Sequence, residues 1–386
     1  MNHVQFAVTR YFFTIYLAPA VAVSYFSVWL DLHGFDQTDI ASLNALVLVG
    51  ILLFSTTAGR WADRLPDWRT AVIAGSGLSA VLGGLLFVSD HKTWIFIIWI
   101  LASLPIALSI PIADAATMRK ASNGGFSFGT VRAWATIGHV IMCFVAGACL
   151  NYWGADAFLP LFFALGVVRA IAAVGLPPLR DSVTQSIRKP GLFVSRELLA
   201  SLPLWVILPL IAGAAVLASH VALGAFVALI WKGQGLNEVT IGSLIAVGAL
   251  AEAICMFYFK SIQQYFSARV IILIAALATA LRWGAMSFDP PLWLLFLLQL
   301  THAVTFAFSY LGCLYFVTNR VPEDFTAEAQ SLFAVVQQLL SIISLMVFGY
   351  WLEQVGSLAF LFNMGMCVVA IVMVWWSLRM HAVQAH

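Results

Sequence analysis

Charge is what this 386-residue sequence has least of, because only 9% of its residues are Asp, Glu, Lys or Arg, whereas 62% are hydrophobic. Soluble domains carry about 25% charged residues, so a soluble globular protein is excluded. The formal net charge is only +2, and no basic tract is interleaved with aromatic residues. Nucleic acid is therefore not an expected partner.

Several signals of catalysis and metal binding are also missing. No GxxxxGK[ST] sequence is present to bind ATP phosphates, and no HExxH sequence is present to bind a catalytic metal. The histidines at positions 139, 220 and 302 are scattered along the chain. The five cysteines lie in apolar stretches with neither disulfide-framework nor metal-site spacing. We therefore expect no cofactor, no metal ion and no enzyme; a polytopic membrane enzyme or a non-transporting sensor is the alternative.

Long apolar runs are what the sequence does contain. Mean hydropathy is +0.97, and twelve stretches approach the roughly 20 residues that a helix needs to cross a bilayer. The predicted spans are 8–30, 40–60, 70–88, 94–117, 128–150, 157–176, 203–231, 239–259, 268–288, 291–315, 326–350 and 357–379.

The cationic residues predict the orientation of these spans. Fifteen of the 19 Lys and Arg residues fall in one set of loops and helix ends, whereas the opposite set holds only Lys92 and Lys232. Cytoplasmic loops carry the excess of positive charge, so both termini are predicted to be cytoplasmic, in a bacterial inner membrane. Tryptophans at the outer helix ends match an interfacial aromatic belt: Trp29, Trp94, Trp153, Trp231, Trp293 and Trp351.

The longest polar connection divides the chain. It covers 177–202, is basic and follows the sixth span. We predict an all-α membrane protein with twelve transmembrane helices in two pseudo-symmetric six-helix halves, 1–176 and 203–386, joined by this cytoplasmic loop. Many secondary transporters have this architecture and bind solute near the midplane between the halves.

Two charged residues interrupt the apolar runs of the first half. Asp114 and Arg132 are equally distant from residue 123, in an Asn-Gly-Gly loop. In an antiparallel hairpin they should therefore share a depth, roughly 13 Å from the turn at ~1.5 Å rise per residue. Charges inside a helical bundle are costly and usually functional. The pair is predicted either to bind substrate or to pin two helices together.

Polar residues of the second half are also predicted to share a depth in the membrane, in pairs. His220 and Glu252 lie at equal distances from Leu236, and Arg282 and His302 flank a Pro-Pro turn. Burial raises the affinity of a carboxyl group for a proton, whereas a nearby arginine lowers it. Glu252 is therefore predicted to carry a proton, with the two histidines and Arg282 as modulators. A fixed network that only locks helices is the alternative.

The loop between the second and third spans carries a family resemblance. Its sequence over 59–69, GRWADRLPDWR, resembles the G-x-x-x-D-R-x-G-R-R loop of the major facilitator superfamily, although Pro-Asp replaces the usual Gly-Arg. The resemblance implies a major facilitator fold in which Gly59, Asp63 and Arg64 gate the cytoplasmic side. An ordinary charged loop is the alternative.

Further fragments resemble the lactose-permease-like and phenylpropionate-permease-like branch of this superfamily. They lie at 114–115, 128–134, 218–220, 248–252, 282–283, 300–303 and 329–330. The resemblance implies that Asp114 and Arg132 hold the substrate and that Arg282 and His302 belong to a proton-coupling group. Thr305 stands where lactose permeases have the proton-carrying carboxylate and Gln299 where they have a lysine, so a different carboxylate is needed here.

We predict a secondary active transporter, a proton-coupled symporter that imports a small organic solute by alternating access. The branch resemblance favours an aromatic monocarboxylate such as phenylpropionate as the substrate, with Arg132 or Arg282 as the carboxylate clamp. Thr136 and His139 share a helix face with Arg132 and, with Phe226, are predicted to line the site. A sugar or nucleoside symporter, or a permease or exporter for another small molecule such as a metal chelate, is the alternative.

The predicted partners are a small-molecule substrate, the co-transported proton and the lipid bilayer, and the predicted state is a monomer. Arg169 is predicted to be an anchor that reaches the membrane interface. Prolines within the spans predict helix kinks; they are Pro19, Pro105, Pro111, Pro203 and Pro209.

Overall fold

The computed structural model describes residues 3–124, 126–180, 202–321 and 326–384. Within these ranges the chain is helical and forms no β-strand, which confirms the predicted all-α class. Most of the predicted central loop, 177–202, lies outside the described residues. The α-helices are numbered in chain order: α1 His3–Ile15, α2 Leu17–Leu32, α3 Gln37–Arg64, α4 Trp68–Gly84, α5 Lys92–Gly124, α6 Phe128–Trp153, α7 Phe158–Val174, α8 Leu204–Gly233, α9 Glu238–Ile262, α10 Ala268–Met286, α11 Leu292–Leu300, α12 Phe308–Arg320, α13 Thr326–Val355 and α14 Phe360–Gln384.

Among the described residues, eleven stretches are long and apolar enough to cross a membrane. The last of them, Glu328–Met380, is 53 residues long and contains most of both α13 and α14. A 3-10 turn, Gly356–Ala359, separates these two helices, and Gly356 has φ +61°, a conformation that favours glycine. Counted as two spans, this stretch makes the structure consistent with the predicted twelve.

Two compact units make up the chain. One comprises Met1–Lys189 and Trp231–Ala246, and the other Pro190–Ile230 and Val247–His386. The end of α8 and the beginning of α9 therefore belong to the first unit. The division into halves at 1–176 and 203–386 remains a prediction.

Pro19 explains why the first span consists of two helices. A proline ring clashes with the carbonyl group four residues back, which is that of Ile15, the last residue of α1. Tyr16 follows with φ −106° and ψ 7°, and α2 begins at Leu17. The predicted kink is thus a complete break, and it places Tyr16 at the joint.

Of the other prolines predicted to interrupt helices, three lie inside a helix and one does not. Pro105 and Pro111 lie inside α5 and Pro209 lies inside α8, where each removes a backbone hydrogen bond. Pro203 was wrongly assigned to a helix interior, because α8 begins at Leu204.

A close contact between α1 and α6 organises the first unit. Gly138 of α6 is buried, and a Cβ atom added there would clash with the carbonyl oxygen of Phe13 on α1. Glycine therefore permits the two helices to approach more closely than any other residue would. Tyr16 lies three residues beyond Phe13, so the same contact holds the α1–α2 joint beside α6.

The second unit is built around α10, which packs against α12 and α14. Its buried face includes Ala275, Ala276 and Arg282. Between α11 and α12 the segment Ala303–Ala307 is a π-helix, preceded by His302. Such π-helical turns are rare and frequently occur at functional sites. This one follows His302 and contains Thr305, and both of these residues contact Arg282.

Candidate substrate-binding and proton-coupling sites

Asp114 on α5 and Arg132 on α6 meet, as the hairpin arithmetic predicts. Arg132 Nε lies 3.6 Å from Asp114 Oδ1, and the two side chains are 34% and 30% exposed. This distance exceeds the roughly 3.2 Å limit of a good N–H···O hydrogen bond, so the contact is a loose ion pair. Asp114 Oδ1 is itself buried and accepts no hydrogen bond from the described residues.

Tyr16 is a third member of this site that the sequence analysis does not identify. Arg132 Nη2 donates a hydrogen bond to the Tyr16 hydroxyl oxygen at 2.9 Å. The guanidinium carbon lies 4.9 Å from the centroid of the Tyr16 ring, within cation–π range. The signal that could have located this residue is Pro19, which ends α1 four residues before itself, at Ile15, and so places Tyr16 at the joint.

The remaining predicted substrate residues differ in setting. Thr136 and His139 are half-buried on α6, one and two turns beyond Arg132. Phe226 on α8 is fully buried, and its ring centroid lies 5.7 Å from that of Phe348. This packing is that of a core residue, and the assignment of Phe226 to a substrate site stays a prediction.

Arg282 is the centre of the polar network in the second unit. It is only 1% exposed. Its Nη1 donates to His302 Nδ1 at 2.9 Å and to Thr305 Oγ1 at 3.1 Å, and its Nη2 donates to the Gln299 side-chain oxygen. Gln299 and Thr305 thus serve as neutral acceptors for the guanidinium group.

The donors and acceptors in this network all have a defined direction. Arginine can only donate, so His302 Nδ1 must be an acceptor, and its Nε2 carries the proton. His220 Nδ1 lies 2.8 Å from the Val216 carbonyl oxygen, which can only accept, so His220 Nδ1 carries the proton. When His220 is neutral, its Nε2 has no proton, so the hydroxyl group of Thr305 donates to it at 3.1 Å. His302 is therefore neutral while Arg282 donates to it.

Glu252 joins the network through His302. Glu252 Oε2 lies 3.4 Å from His302 Nε2, a close contact that is longer than the roughly 3.2 Å limit of a good hydrogen bond. Glu252 and His302 remain partly exposed, at 24% and 18%. The structure therefore brings the four predicted residues into one connected group, in the order Glu252, His302, Arg282 and, through Thr305, His220.

Aromatic rings surround the two histidines. The His220 ring centroid lies 5.4 Å from that of His302 and 5.0 Å from that of Trp283. Phe306 stacks on His302 with centroids 5.2 Å apart. Trp283 in turn donates from Nε1 to Ser219 Oγ at 2.9 Å. These contacts hold both imidazoles in place.

The predicted gating loop is anchored to the segment that follows α7. Asp63 Oδ1 accepts a hydrogen bond from Trp68 Nε1 at 3.2 Å. Arg180 Nη1 donates to the carbonyl oxygens of Asp63 and Leu65 at 3.0 and 2.8 Å. The role of Gly59, Asp63 and Arg64 in gating stays a prediction.

Asp67 gives a structural reason for the Pro-Asp departure from the family sequence. Its Oδ1 atom accepts from the amide groups of Arg69, at 2.9 Å, and Leu179, at 3.0 Å. Asp67 is thus both the N-cap of α4 and a link to the segment beyond α7.

An apolar cavity of about 280 Å³ adjoins this loop within the first unit. Its walls come from α3, α4 and α5 and include Gly59 and Asp63 at one end and Pro111 and Ala115 at the other. Ala115 follows Asp114 directly, so one end of the cavity is lined by the turn of α5 that carries the acid of the ion pair.

Arg169 is not the interfacial anchor that the sequence predicts. It is 3% exposed, and its Nη2 donates to Ser79 Oγ at 3.0 Å. Its Nε is buried and has no hydrogen-bond partner among the described residues. The prediction was wrong because small residues allow α7 to pack on α4; Gly166 of α7 lies next to Ala80 of α4.

Ser127 stands in a Gly-Phe-Ser-Phe-Gly sequence at 125–129, which has the spacing of the G-x-S-x-G sequence of hydrolases. In hydrolases that serine occupies a strand-to-helix turn. Here the Ser127 side chain accepts from the Thr130 amide at 3.3 Å and is the N-cap of α6. Its role is to begin the helix that carries Arg132.

Comparisons with known proteins agree with this architecture. The chain is 25% identical over 348 residues to a probable 3-phenylpropionic acid transporter of Escherichia coli (strain K12), which covers 89% of each chain. It is 24% identical over 327 residues to a maltose permease of Geobacillus stearothermophilus, which covers 80% of each.

Solved structures give the same result for the fold. A crystal structure of a mutant of the nucleoside transporter NupG superimposes with a TM-score of 0.86 at 14% identity, over 97% of this chain and 100% of NupG. These similar proteins are transporters and not enzymes, in accordance with the prediction. The sequence profile of the MFS_1 like family matches residues 6–364, so the chain belongs to that family of major facilitator transporters, and the resemblance drawn from its sequence is confirmed.

Proposed function

We propose that this transporter is a proton-coupled symporter that imports a small organic carboxylate across the bacterial inner membrane by alternating access. An aromatic monocarboxylate such as phenylpropionate is the preferred candidate. The observation that carries this proposal is the contrast between the two candidate clamps, Arg132 and Arg282.

Arg282 is unsuited to binding substrate, because it is 1% exposed and both of its terminal nitrogens are engaged by neighbouring side chains. Arg132 keeps a third of its side chain exposed. It makes one hydrogen bond to the described residues, to Tyr16. A guanidinium group presents a planar fork that matches a carboxylate. Arg132 is therefore the clamp in our proposal, and Asp114 is the ion-pair partner that substrate replaces.

The direction of the hydrogen bonds supports Glu252 as the proton carrier. A relay through His302 would use both ring nitrogens, but Nδ1 is occupied by a hydrogen bond from Arg282, which does not lose its proton. A proton that arrives at Glu252 therefore stays there until the surroundings of its carboxyl group change. His302, Arg282 and His220 position the carboxylate. Each proton that enters along a potential of 100 mV supplies about 2.3 kcal/mol.

One relative supports a carboxylate substrate and another supports a sugar. One similar protein is a probable 3-phenylpropionic acid transporter. Another is a maltose permease, and Asp114, whose Oδ1 atom accepts no hydrogen bond from the described residues, is suited to accept hydroxyl hydrogens. A sugar or nucleoside symporter is therefore the second candidate.

The test is the pH inside proteoliposomes after phenylpropionate is added outside, with sugars and nucleosides as further solutes. Protein-free liposomes measure passive entry of the neutral acid, which must be subtracted. We expect wild-type protein to acidify the lumen further, Glu252→Gln to abolish that extra acidification, and Glu353→Gln, the same change at an exposed position, to preserve it.

Each departure from this result has a definite meaning. Acidification that survives Glu252→Gln would refute Glu252 as carrier and direct attention to Asp114. Acidification with sugars or nucleosides alone would replace the carboxylate with the second candidate. No acidification with any of these solutes would refute the proposed symport of these solutes.

A further inference from the structure

We propose that Tyr16 is a substrate-recognition residue, and that its hydroxyl group and the Arg132 guanidinium together form the carboxylate-binding site. The proposal rests on the proposed function, because it assumes that Arg132 binds the carboxylate of the substrate. It adds a specificity-determining residue from a different helix of the first unit.

The local sequence holds Tyr16 in the position that this role requires. Pro19 ends α1 at Ile15 and places Tyr16 at the joint with α2. Gly138 lets the Phe13 carbonyl group lie against α6, two turns along that helix from Arg132. An unbroken helix or a larger residue at position 138 would move the Tyr16 side chain away from the arginine.

The contacts of Arg132 show which atoms are available to a ligand. Tyr16 occupies one of the five guanidinium N–H donors through the hydrogen bond to its hydroxyl oxygen, and its ring covers one face of the group. The Nε atom faces Asp114 at 3.6 Å, beyond a good hydrogen bond. A carboxylate that approaches in the guanidinium plane competes with Asp114 for Nε. It can also accept hydrogen bonds from the guanidinium N–H groups that Tyr16 does not occupy.

The Tyr16 hydroxyl group is also a donor. A phenolic oxygen that accepts from a guanidinium group can donate its own hydrogen to an acceptor beside that group. A substrate carboxylate at Arg132 is such an acceptor, so the site offers it guanidinium N–H groups and one O–H group. A neutral amide carries no charge to be recognised in this way, so the arrangement selects for carboxylates.

The experiment compares Tyr16→Phe with wild type, using purified protein and two probes, 3-phenylpropionate and its primary amide. Binding is measured by titration calorimetry and thermal unfolding is measured in parallel. Tyr11→Phe is the matched control, because it removes a hydroxyl group from the same span, where Tyr11 contacts Ser76 at 3.3 Å rather than Arg132.

We expect Tyr16→Phe to weaken binding of 3-phenylpropionate about 10-fold or more, the usual effect of losing a hydrogen bond to a charged group. The affinity for the amide should change much less, and Tyr11→Phe should leave the ratio of the two affinities unchanged. If the role of Tyr16 is only structural, Tyr16→Phe will lower both affinities together or will lower only the unfolding temperature. Either result would overturn the proposal.

The outcomes also separate this proposal from the one on which it rests. If wild-type protein binds 3-phenylpropionate and Tyr16→Phe binds it equally well, only the role of Tyr16 is refuted. If wild-type protein binds neither 3-phenylpropionate nor other aryl carboxylates, the proposed substrate class fails, and the role of Tyr16 fails with it.

Discussion

Thr305 offers the sharpest test of the network in the second unit. It is fully buried in the π-helical segment, and its hydroxyl group links the two otherwise separate residues Arg282 and His220. The substitution Thr305→Val keeps the branched shape of the side chain and removes only the hydroxyl group. Arg282 Nη1 then loses one acceptor, and His220 Nε2 loses its donor.

The expected loss of stability follows from these two hydrogen bonds. Hydrogen bonds between helices in a membrane protein contribute about 0.6 kcal/mol on average and up to about 1.7 kcal/mol. Removing two of them should therefore lower the free energy of unfolding by about 1–3 kcal/mol. The upper part of this range is expected, because both partners are buried and one is charged.

The assay is unfolding in mixed micelles with increasing denaturing detergent, followed by circular dichroism. Thr301→Val is the matched control, because Thr301 lies four residues earlier and its hydroxyl group donates to the Leu298 carbonyl oxygen of its own helix at 2.6 Å. Thr305→Ser should restore most of the stability. If Thr305→Val is no more destabilising than Thr301→Val, the directed network described for Arg282 is incorrect.

Two further predictions concern the first unit. Asp67→Ala should lower the free energy of unfolding by about 1 kcal/mol or more, since it removes a helix N-cap and the bond to Leu179. Asp36→Ala, which removes the cap of α3, should have a smaller effect, and equal effects in thermal unfolding would refute the link to Leu179. Arg169→Met should leave stability unchanged or raise it, because Arg169 has no ion-pair partner among the described residues and a buried charge of this kind costs more than the bond to Ser79 contributes. A clear fall in the unfolding temperature of that variant would show that Arg169 has a compensating partner.

The sequence allowed the spans and the paired depths to be predicted because both depend on spacing along a helix of known rise. Asp114 and Arg132 fall opposite each other for this reason, and the structure brings them together. The location of the Arg169 side chain could not be predicted in the same way. Whether a long cation reaches the interface or stays in the core depends on how closely neighbouring helices pack, which is a property of tertiary structure.

The hydrogen bonds around Arg282 also could be predicted only in part from the sequence. Equal depth could be predicted for Arg282 and His302, but the hydrogen bonds of Thr305 depend on the π-helical segment, whose position has no known sequence signal. Tyr16 is an intermediate case. Pro19 predicts the helix break, but only the packing of α1 on α6 shows that the residue at the break reaches Arg132.

The meeting of Asp114 and Arg132 across the α5–α6 hairpin has a consequence for biogenesis. Inserting a single helix with one charge near its centre costs about 2.5–3.5 kcal/mol. If α5 entered the bilayer alone, Asp114 would bear such a cost. As a hairpin, the two helices bring this acid into contact with Arg132 of α6, and the two charges of the pair cancel. The residues proposed to recognise substrate would then first serve to bring two helices into the membrane together.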